Sequence, residues 1–240
     1  MKAPDKFFFV ITAICFMGIS LTCSKPYKKE YKEAVPLRMN DDIPSLEKAL
    51  KKYNKAIFYA ILAMDGKYDT LKALGIKLIQ AEMYLEAAKY LEEARALQPG
   101  QENIYYYLGL CYANYARITA HREEKERYIS LAEKTYMSGL NVKENSPALL
   151  YAAGLLYGFI KNEPEKGIQF LSRAAAGDPR DVQTHFALGN LYYQTGNTGA
   201  ALVHYQKILE LAPKDTEQWL KAQENLELMR NNTSPIPVTR

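Results

Sequence analysis

Residues 182–215 read VQTHFALGNLYYQTGNTGAALVHYQKILELAPKD, and this stretch decides the fold. Apolar and small residues recur at helical spacing on both sides of the turn-forming residues 196–199. Gly189 lies in the first arm and Ala201 in the second, and small residues at facing positions let two helices approach closely. The stretch therefore predicts a helical hairpin.

The same pattern recurs upstream at a nearly constant period. One series of glycines has spacings of 34, 45 and 35 residues, and a second series of small residues has spacings of 45, 35 and 34. The two series are Gly75, Gly109, Gly154 and Gly189, then Ala87, Ala132, Gly167 and Ala201. Independent series with one period indicate an internal repeat, in which each unit is one hairpin stacked on its neighbours.

The residues that carry this repeat resemble the tetratricopeptide repeat over residues 68–215. The best copy has family residues at Leu188, Gly189, Tyr192, Gly196, Ala201, Tyr205 and Pro213. The resemblance implies an all-α fold, a right-handed superhelical array of helical hairpins (an α-solenoid). The four units are expected at residues 68–101, 102–146, 147–181 and 182–215.

The spacings also locate two irregularities. Eleven extra residues lie between Gly109 and Ala132, in a stretch without Gly or Pro, so unit 102–146 is predicted to be an elongated hairpin. The next unit has one extra residue, which we place in its turn around Pro164.

Helices are also predicted at both ends of the array. Residues 42–67 have helical apolar spacing that ends at Asp65-Gly66, and we interpret them as an N-terminal capping helix or part of a degenerate repeat. Residues 216–230 form a predicted C-terminal capping helix. Such caps cover an end that would otherwise expose apolar surface. Residues 231–240 lack periodicity and are predicted to be a disordered tail.

The N-terminus has the pattern of an export signal. Lys2 and Lys6 precede an uncharged run over residues 7–22, so residues 1–22 are predicted to be a signal peptide. The run is shorter than the roughly 20 residues of a spanning helix, which disfavours an uncleaved anchor. Plain cleavage after Ser20 is an alternative.

Cys23 follows the apolar run directly and resembles the lipidated cysteine of bacterial lipoproteins. Residues 23–41 would then be a polar, lipid-anchored tether, with Cys23 carrying more than one acyl chain, such as palmitate, because a single chain binds a membrane only marginally. The resemblance implies attachment to a membrane of the bacterial cell envelope, on the periplasmic side.

The remaining composition argues against several function classes. A formal net charge of +4 on 240 residues is too weak and scattered to indicate nucleic-acid binding. Three cysteines provide no disulfide framework or zinc site. The three histidines, His121, His185 and His204, are far apart and show no ligand spacing. We therefore expect no enzyme activity, no cofactor and no metal.

The resemblance also implies a peptide-binding groove. Transferred to this chain, the family's groove-lining positions are mostly aromatic or amide residues with almost no charge, and they indicate a protein or peptide partner. The predicted residues are Asn103, Tyr106, Asn114, Tyr151, Phe159, Gln183, Phe186, Asn190, Tyr193 and Gln194. If these aromatics anchor the partner, Tyr151→Ala combined with Phe186→Ala should abolish partner capture while leaving helicity and melting nearly unchanged.

These expectations indicate a membrane-tethered, non-catalytic scaffold for protein–protein interactions in envelope assembly or secretion. The alternative is a homo-oligomeric structural or transport-accessory subunit that binds a small apolar ligand. Light scattering would separate the two, since a stable trimer or larger ring favours the second.

Overall fold

A computed structural model describes residues 25–40 and 42–231 of the 240-residue chain. The predicted signal peptide, Cys23 and nearly all of the predicted tail lie outside these residues. Ten helices and no strands are found in the part of the chain that is described, which confirms the predicted all-α fold. The chain divides into two compact units, with the boundary between Thr70 and Leu71.

The first unit contains α1 (Lys25–Met39) and most of α2 (Ile43–Gln80). The two helices are joined by ion pairs: Lys55 Nζ lies 2.6 Å from a Glu30 carboxylate oxygen, and Lys52 pairs with Glu33. The sequence predicted a polar tether over residues 23–41, whereas its described part is mostly helix. The physical reason is that the acidic residues of this segment have basic partners on α2.

The second difference concerns the end of the N-terminal helix. Asp65 and Gly66 were expected to end it, but α2 continues through both and supplies the first arm of the first repeat. A glycine inside a helix costs only about 1 kcal/mol. The Thr70 hydroxyl also donates a 2.8 Å hydrogen bond to the Gly66 carbonyl. The boundary predicted between residues 67 and 68 therefore lies inside a continuous helix.

The second unit consists of four hairpins and one further helix. The end of α2 pairs with α3, α4 with α5, α6 with α7, and α8 with α9. The helices are α3 (Tyr84–Leu97), α4 (Glu102–Ile118), α5 (Arg122–Val142), α6 (Pro147–Leu155), α7 (Pro164–Gly177), α8 (Val182–Gln194), α9 (Thr198–Leu211) and α10 (Glu217–Arg230).

The repeated glycines explain how the helices of each hairpin pack. A Cβ atom added to any of them would clash with a large side chain of the opposing helix, at 2.2 to 2.9 Å. The four contacts are Gly75 with Leu91, Gly109 with Tyr136, Gly154 with Leu171, and Gly189 with Tyr205. The series of repeated glycines thus marks the positions where a tyrosine ring or a leucine side chain packs directly against the backbone of the opposing helix.

The extra residue of the third hairpin lies in its first helix. The sequence placed it in the turn around Pro164, but α6 runs into one π-helical turn at Leu156–Ile160. A π turn accommodates one additional residue within a helix. Pro164 is the first residue of α7, a position that suits proline because its missing N–H has no partner there in any case.

The C-terminal helix α10 covers the last hairpin. Ala222, Leu226 and Met229 are buried in one cluster with Tyr205 and Ile208 of α9. The Thr216 side chain accepts a hydrogen bond from the Trp219 N–H and so caps the start of α10. Across the described ranges 25–40 and 42–231, no helix has both the length and the apolar character needed to cross a membrane.

Candidate peptide-binding groove

The predicted groove residues lie on the first helices of three successive hairpins, α4, α6 and α8. Helix α4 packs directly on α6, so these two helices are neighbours in the array. Three exposure classes separate these residues. Asn103, Phe159, Gln183 and Gln194 are exposed; Tyr106, Asn114, Tyr151, Asn190 and Tyr193 are half-buried; and Phe186 is buried.

Tyr106 on α4 has the properties of an aromatic contact residue. Its ring meets Tyr107 edge to face, with the centroids 5.2 Å apart. Burial, and then its neighbour Tyr107, raise the pKa of Tyr106, so its phenol remains protonated at neutral pH. The side chain thus combines an apolar ring with a hydroxyl that can donate a hydrogen bond.

Tyr151 and Tyr193 have a packing role in addition to any binding role. Tyr151 of α6 lies against a buried cluster that includes Leu171 and Leu188. Tyr193 lies against the cluster that contains Tyr205. Their half-buried rings connect adjacent helices of the array, so truncating either ring is expected to reduce stability as well as contact with a partner.

The amides of the last hairpin already make hydrogen bonds within the chain. The Tyr205 hydroxyl donates to the Asn190 side-chain oxygen. The Gln194 amide donates to the Asn162 side-chain oxygen at 3.4 Å. At Asn190, therefore, the amino group is the more suitable part for binding the backbone of a partner.

Phe186 is not a groove residue. Its side chain is 2% exposed and packs edge to face on Tyr205, with the centroids 6.2 Å apart. It belongs to the cluster that α10 closes through Ala222 and Leu226. In contrast to the sequence-based prediction, Tyr151→Ala with Phe186→Ala is therefore expected to lower the melting temperature, because removing a buried Phe costs about 3 to 5 kcal/mol.

Phe159 is the most accessible aromatic residue of the predicted groove. It lies in the π-helical turn of α6 and is 46% exposed. Its neighbours in the turn, Tyr157 and Gly158, are both buried. The π turn thus presents one large aromatic side chain to solvent beside two buried positions.

An interaction network between hairpins was missed by the sequence analysis. The Tyr157 hydroxyl and Lys161 Nζ both donate to Glu133 of α5, the latter at 2.8 Å. The Tyr157 ring stacks on Phe170 at 5.3 Å, and Lys166 Nζ lies 3.7 Å from the Tyr157 ring centroid. These contacts link the second hairpin to the third.

The electrostatics of this network favour an ionised Glu133 and a neutral Tyr157. Burial opposes the ionisation of Glu133, but hydrogen bonds from Lys161 and Tyr157 lower its pKa overall. Burial, and then the bond to Glu133, raise the pKa of Tyr157 to about 12. The sequence shows an acidic residue at position 133 and a basic residue at position 161. Because they are 28 positions apart, their ion pair can be predicted only when the stacking of the hairpins is known.

The structure brings together two histidines that the sequence analysis kept apart. Nδ1 of His185 on α8 lies 3.0 Å from Nδ1 of His204 on α9. Nε2 of His185 lies 3.1 Å from the Pro179 carbonyl oxygen, so it must carry the proton that it donates. His185 Nδ1 then accepts a hydrogen bond from His204 Nδ1.

The histidine pair is suited to hairpin packing. The His204 ring stacks on Tyr192, with the centroids 5.4 Å apart. Burial and the neighbouring His185 lower the pKa of His204 to about 4. Positions 185 and 204 lie in the two arms of one hairpin. Their contact could therefore have been predicted from the repeat pattern in the sequence.

Neither a metal centre nor a reactive thiol is found in the described part of the chain. No group of three or more His, Cys, Asp or Glu side chains there could hold a metal ion. Cys111 is buried and free, and burial raises the pKa of its thiol to about 12. A thiol of that pKa is protonated at neutral pH and is a poor nucleophile.

The similarity to known proteins agrees with this geometry. Residues 182–215 match the family model of the tetratricopeptide repeat. A TPR repeat-containing protein of Borreliella burgdorferi is 20% identical over 219 residues, which cover 87% of this chain and 94% of the relative. This chain contains a tetratricopeptide repeat.

Solved structures support the same assignment of the fold. A thermophilic TPR protein of Thermus thermophilus has a TM-score of 0.59 at 22% identity, over 82% of this chain and 97% of that one. Pseudomonas aeruginosa PilF has a TM-score of 0.58 at 18% identity, over 71% of both chains. MamA of Desulfovibrio magneticus RS-1 has a TM-score of 0.51 at 19% identity, over 78% of this chain and 96% of that one.

Tetratricopeptide repeats generally act as scaffolds for protein–protein interactions. Each repeat contacts its neighbours, and the stack forms an extended surface rather than an enclosed cavity. The half-buried side chains of α4, α6 and α8 lie on successive hairpins of this array.

Proposed function

We propose that the protein is a membrane-tethered scaffold that binds protein segments during envelope assembly or secretion in a bacterium. The carrying observation is the set of accessible aromatic and amide side chains on the first helices of successive repeats, with Phe159 as the most exposed aromatic among them. Aromatic side chains dominate the binding energy at protein interfaces when a partner covers them.

The composition of this surface supports an uncharged, partly apolar partner segment. Tyr106, Tyr151 and Phe159 provide rings, whereas Asn103 and Asn114 provide amides. Amides can bond the backbone of a partner, at about 0.5 to 1.5 kcal/mol net for each bond. Specificity would then come from the spacing of the aromatic contacts.

Membrane tethering is supported by the N-terminal sequence. Cys23 directly follows the uncharged run 7–22. Multiple acyl chains on Cys23 would anchor the protein stably, and the repeats would act outside the cytoplasmic membrane.

Site-specific crosslinking tests the scaffold. A photoreactive amino acid at Phe159 in the native envelope should capture one or a few defined proteins. The matched control is Val203 of α9, which is 61% exposed but lies on the second helix of its repeat. Equal capture from both positions, or none from either, contradicts the groove.

Mass analysis of the mature N-terminus tests the anchor. The expected product begins at Cys23 and carries the added mass of acyl chains. A product beginning at Leu21, or an intact Met1, contradicts lipidation without affecting the groove.

A further inference from the structure

The π-helical turn of α6 and the last turn of α8 are in direct contact. A Cβ atom on Gly158 would lie 2.5 Å from a methyl carbon of Leu191, and the Gln194 amide donates to the Asn162 side chain at 3.4 Å. Phe159 follows Gly158 in this π turn and is 46% exposed. An accessible aromatic ring therefore lies close to the end of α8.

The end of α10 also lies near this last turn of α8. Tyr193, in that turn, packs against the cluster that contains Met229 of α10. Helix α10 follows α9 after a short connection and packs on it, so the two helices run antiparallel, and each has 14 residues. The end of α10 is therefore level with the turn between α8 and α9, and Asn231 follows α10 directly.

Residues 232–240, with the sequence NTSPIPVTR, can reach Phe159 from this point. Neighbouring helices have axes about 8 to 10 Å apart, so the path from α10 past α8 to α6 is roughly 20 Å. Ile236 and Val238 lie five and seven residues beyond Asn231. At the polyproline II rise of about 3.1 Å per residue, these distances along the segment are about 16 and 22 Å.

The sequence of this segment favours an extended conformation. Pro235 and Pro237 each fix their own φ at about −65°. The residues before them, Ser234 and Ile236, are restricted by the proline rings to extended conformations. Proline-containing extended segments dock against aromatic-lined surfaces at a low cost in conformational entropy, because they are extended before they bind.

The surface at the ends of α6 and α8 matches such a segment. Phe159 and Tyr193 supply aromatic rings, and the Gln194 amide has a second N–H that can donate to a carbonyl of an extended backbone. These three side chains and residues 232–239 carry no charge, so their contact buries no unpaired ion. We propose that residues 232–240 bind across the ends of α8 and α6 of the same chain, with Ile236 against Phe159.

Attachment to α10 favours this occupant over a second copy of the chain. A short flexible linker holds its ligand at an effective concentration of roughly millimolar. Contact through a few apolar side chains is then sufficient for occupancy. The same segment of a second copy would make the same contacts at a much lower free concentration.

The segment covers the most exposed aromatic residue of the proposed peptide-binding surface. A partner protein must therefore displace residues 232–240 before it can contact Phe159. This competition rests on the proposed function, whereas the contact within the chain does not.

Photocrosslinking in the purified full chain tests the contact. A photoreactive amino acid replaces Phe159, and cleavage after Arg230 releases residues 231–240 as one peptide for mass analysis. The control is the same replacement at Val142, which is 42% exposed. Val142 ends α5 and lies next to the start of α6, at the opposite end of that helix from the π turn.

Position 159 is expected to crosslink to residues 232–240, and position 142 is not. Ile236→Asp combined with Val238→Asp should lower the yield about tenfold, because the apolar contacts are lost. Thr233→Asp combined with Thr239→Asp adds the same charge to the same segment and should leave the yield nearly unchanged. No crosslink from position 159 to this segment, or equal losses in the two double variants, overturns the inference.

Two further measurements keep the result unambiguous. Replacement of the exposed Gln194 repeats the crosslinking if replacement of Phe159 disturbs folding, which circular dichroism monitors. Mixing isotope-labelled with unlabelled protein separates contact within a chain from contact between copies. Crosslinks within one label only support the inference, whereas crosslinks between the two labels show that a second copy supplies the segment and overturn it.

Capture from position 159 in the native envelope separates this inference from the proposed scaffold. Ile236→Asp with Val238→Asp should increase the amount of partner protein captured there, and unchanged capture contradicts the competition. If the segment crosslinks in the purified chain but neither form captures a protein in the envelope, the scaffold is wrong and the contact within the chain stands. If proteins are captured but the segment never crosslinks, the scaffold stands and this inference is wrong.

Discussion

The second and fourth hairpins of the array pack in the same way at the base, where the repeated glycines lie, and differ at the tip, where the two arms are joined. At the base, Gly109 faces Tyr136 in the second hairpin, and Gly189 faces Tyr205 in the fourth. The arms have 17 and 21 residues in the second hairpin, against 13 and 14 in the fourth. The inserted residues thus lengthen both arms, as their lack of Gly and Pro predicts.

The two tips are closed by different chemistry. In the fourth hairpin Gly196 has a φ of +79°, and the Asn197 side chain accepts a bond from the Ala200 N–H. In the second, Glu124 accepts hydrogen bonds from the hydroxyls of Tyr115 and Thr119, at 3.1 and 2.9 Å. The base is thus fixed by the packing of the two arms on each other, whereas the tip has only to satisfy its own backbone and side chains.

The largest effect is expected from substitutions of the glycines at the base of the two hairpins. Gly109→Ala should cost about 3 kcal/mol and Gly189→Ala about 1 kcal/mol, because the added Cβ would lie 2.2 Å from Tyr136 but 2.9 Å from Tyr205. Urea unfolding of both variants measures this difference. Equal losses would mean that the tyrosine rings move aside equally easily.

Acidification should weaken the fourth hairpin more than the second. An unfolded histidine protonates near pH 6.5, whereas His204 in the folded chain does so near pH 4. The unfolded state therefore binds more protons between these values, and stability falls by about 1 to 3 kcal/mol as the pH drops through that window. Amide exchange in α8 and α9 at pH 7 and pH 5 tests this, with His204→Gln as the variant that should lose most of the pH dependence.

The long tip should depend on Glu124. Glu124→Ala removes the acceptor of two hydroxyl hydrogen bonds and should cost about 1 kcal/mol. Faster amide exchange is expected around residues 119–124, with the base of the hairpin unchanged. The control is Glu126→Ala, which changes an exposed carboxylate on the same helix; an identical effect in both variants would argue against a specific role of Glu124.

The smallest effect concerns the short turns. Glu82 closes the first hairpin with a φ of +59°, in the same bonding pattern that Gly196 uses in the fourth. Glu82→Gly should therefore stabilise the protein by roughly 0.5 to 1 kcal/mol, and Gly196→Ala should destabilise it by about 1 kcal/mol. The two melting temperatures should move in opposite directions, and a shared direction would refute the argument.

The repeat architecture could be predicted because its signal is periodic. Gly189 and Tyr205 belong to a pattern that recurs four times, so no single position had to be interpreted alone. Tyr205, a family residue of the best copy, is buried, whereas Tyr192 of the same copy is half-buried.

The features that were missed depend on partners distant in sequence. Helix α1 has a polar sequence, and its contacts come from Lys52 and Lys55 on α2. Phe186 was assigned to the groove by its position in the repeat, but in the last repeat the cluster that buries it is completed by α10. Position within a repeat therefore predicts the inner packing well, and it predicts surface residues less well where the array ends.

The π-helical turn of α6 restricts which residue can occupy position 167 on the opposing helix α7. Ala87, Ala132 and Ala201 occupy the second small-residue position in the other hairpins, but the third has Gly167. A Cβ atom on Gly167 would lie 2.7 Å from the Cα of Gly158, inside the π turn. Deleting one residue from the turn should make alanine acceptable at position 167, whereas alanine introduced there first should be harmful. The extra residue of the π turn and the glycine at position 167 are therefore sterically coupled, so that neither is expected to tolerate change without the other.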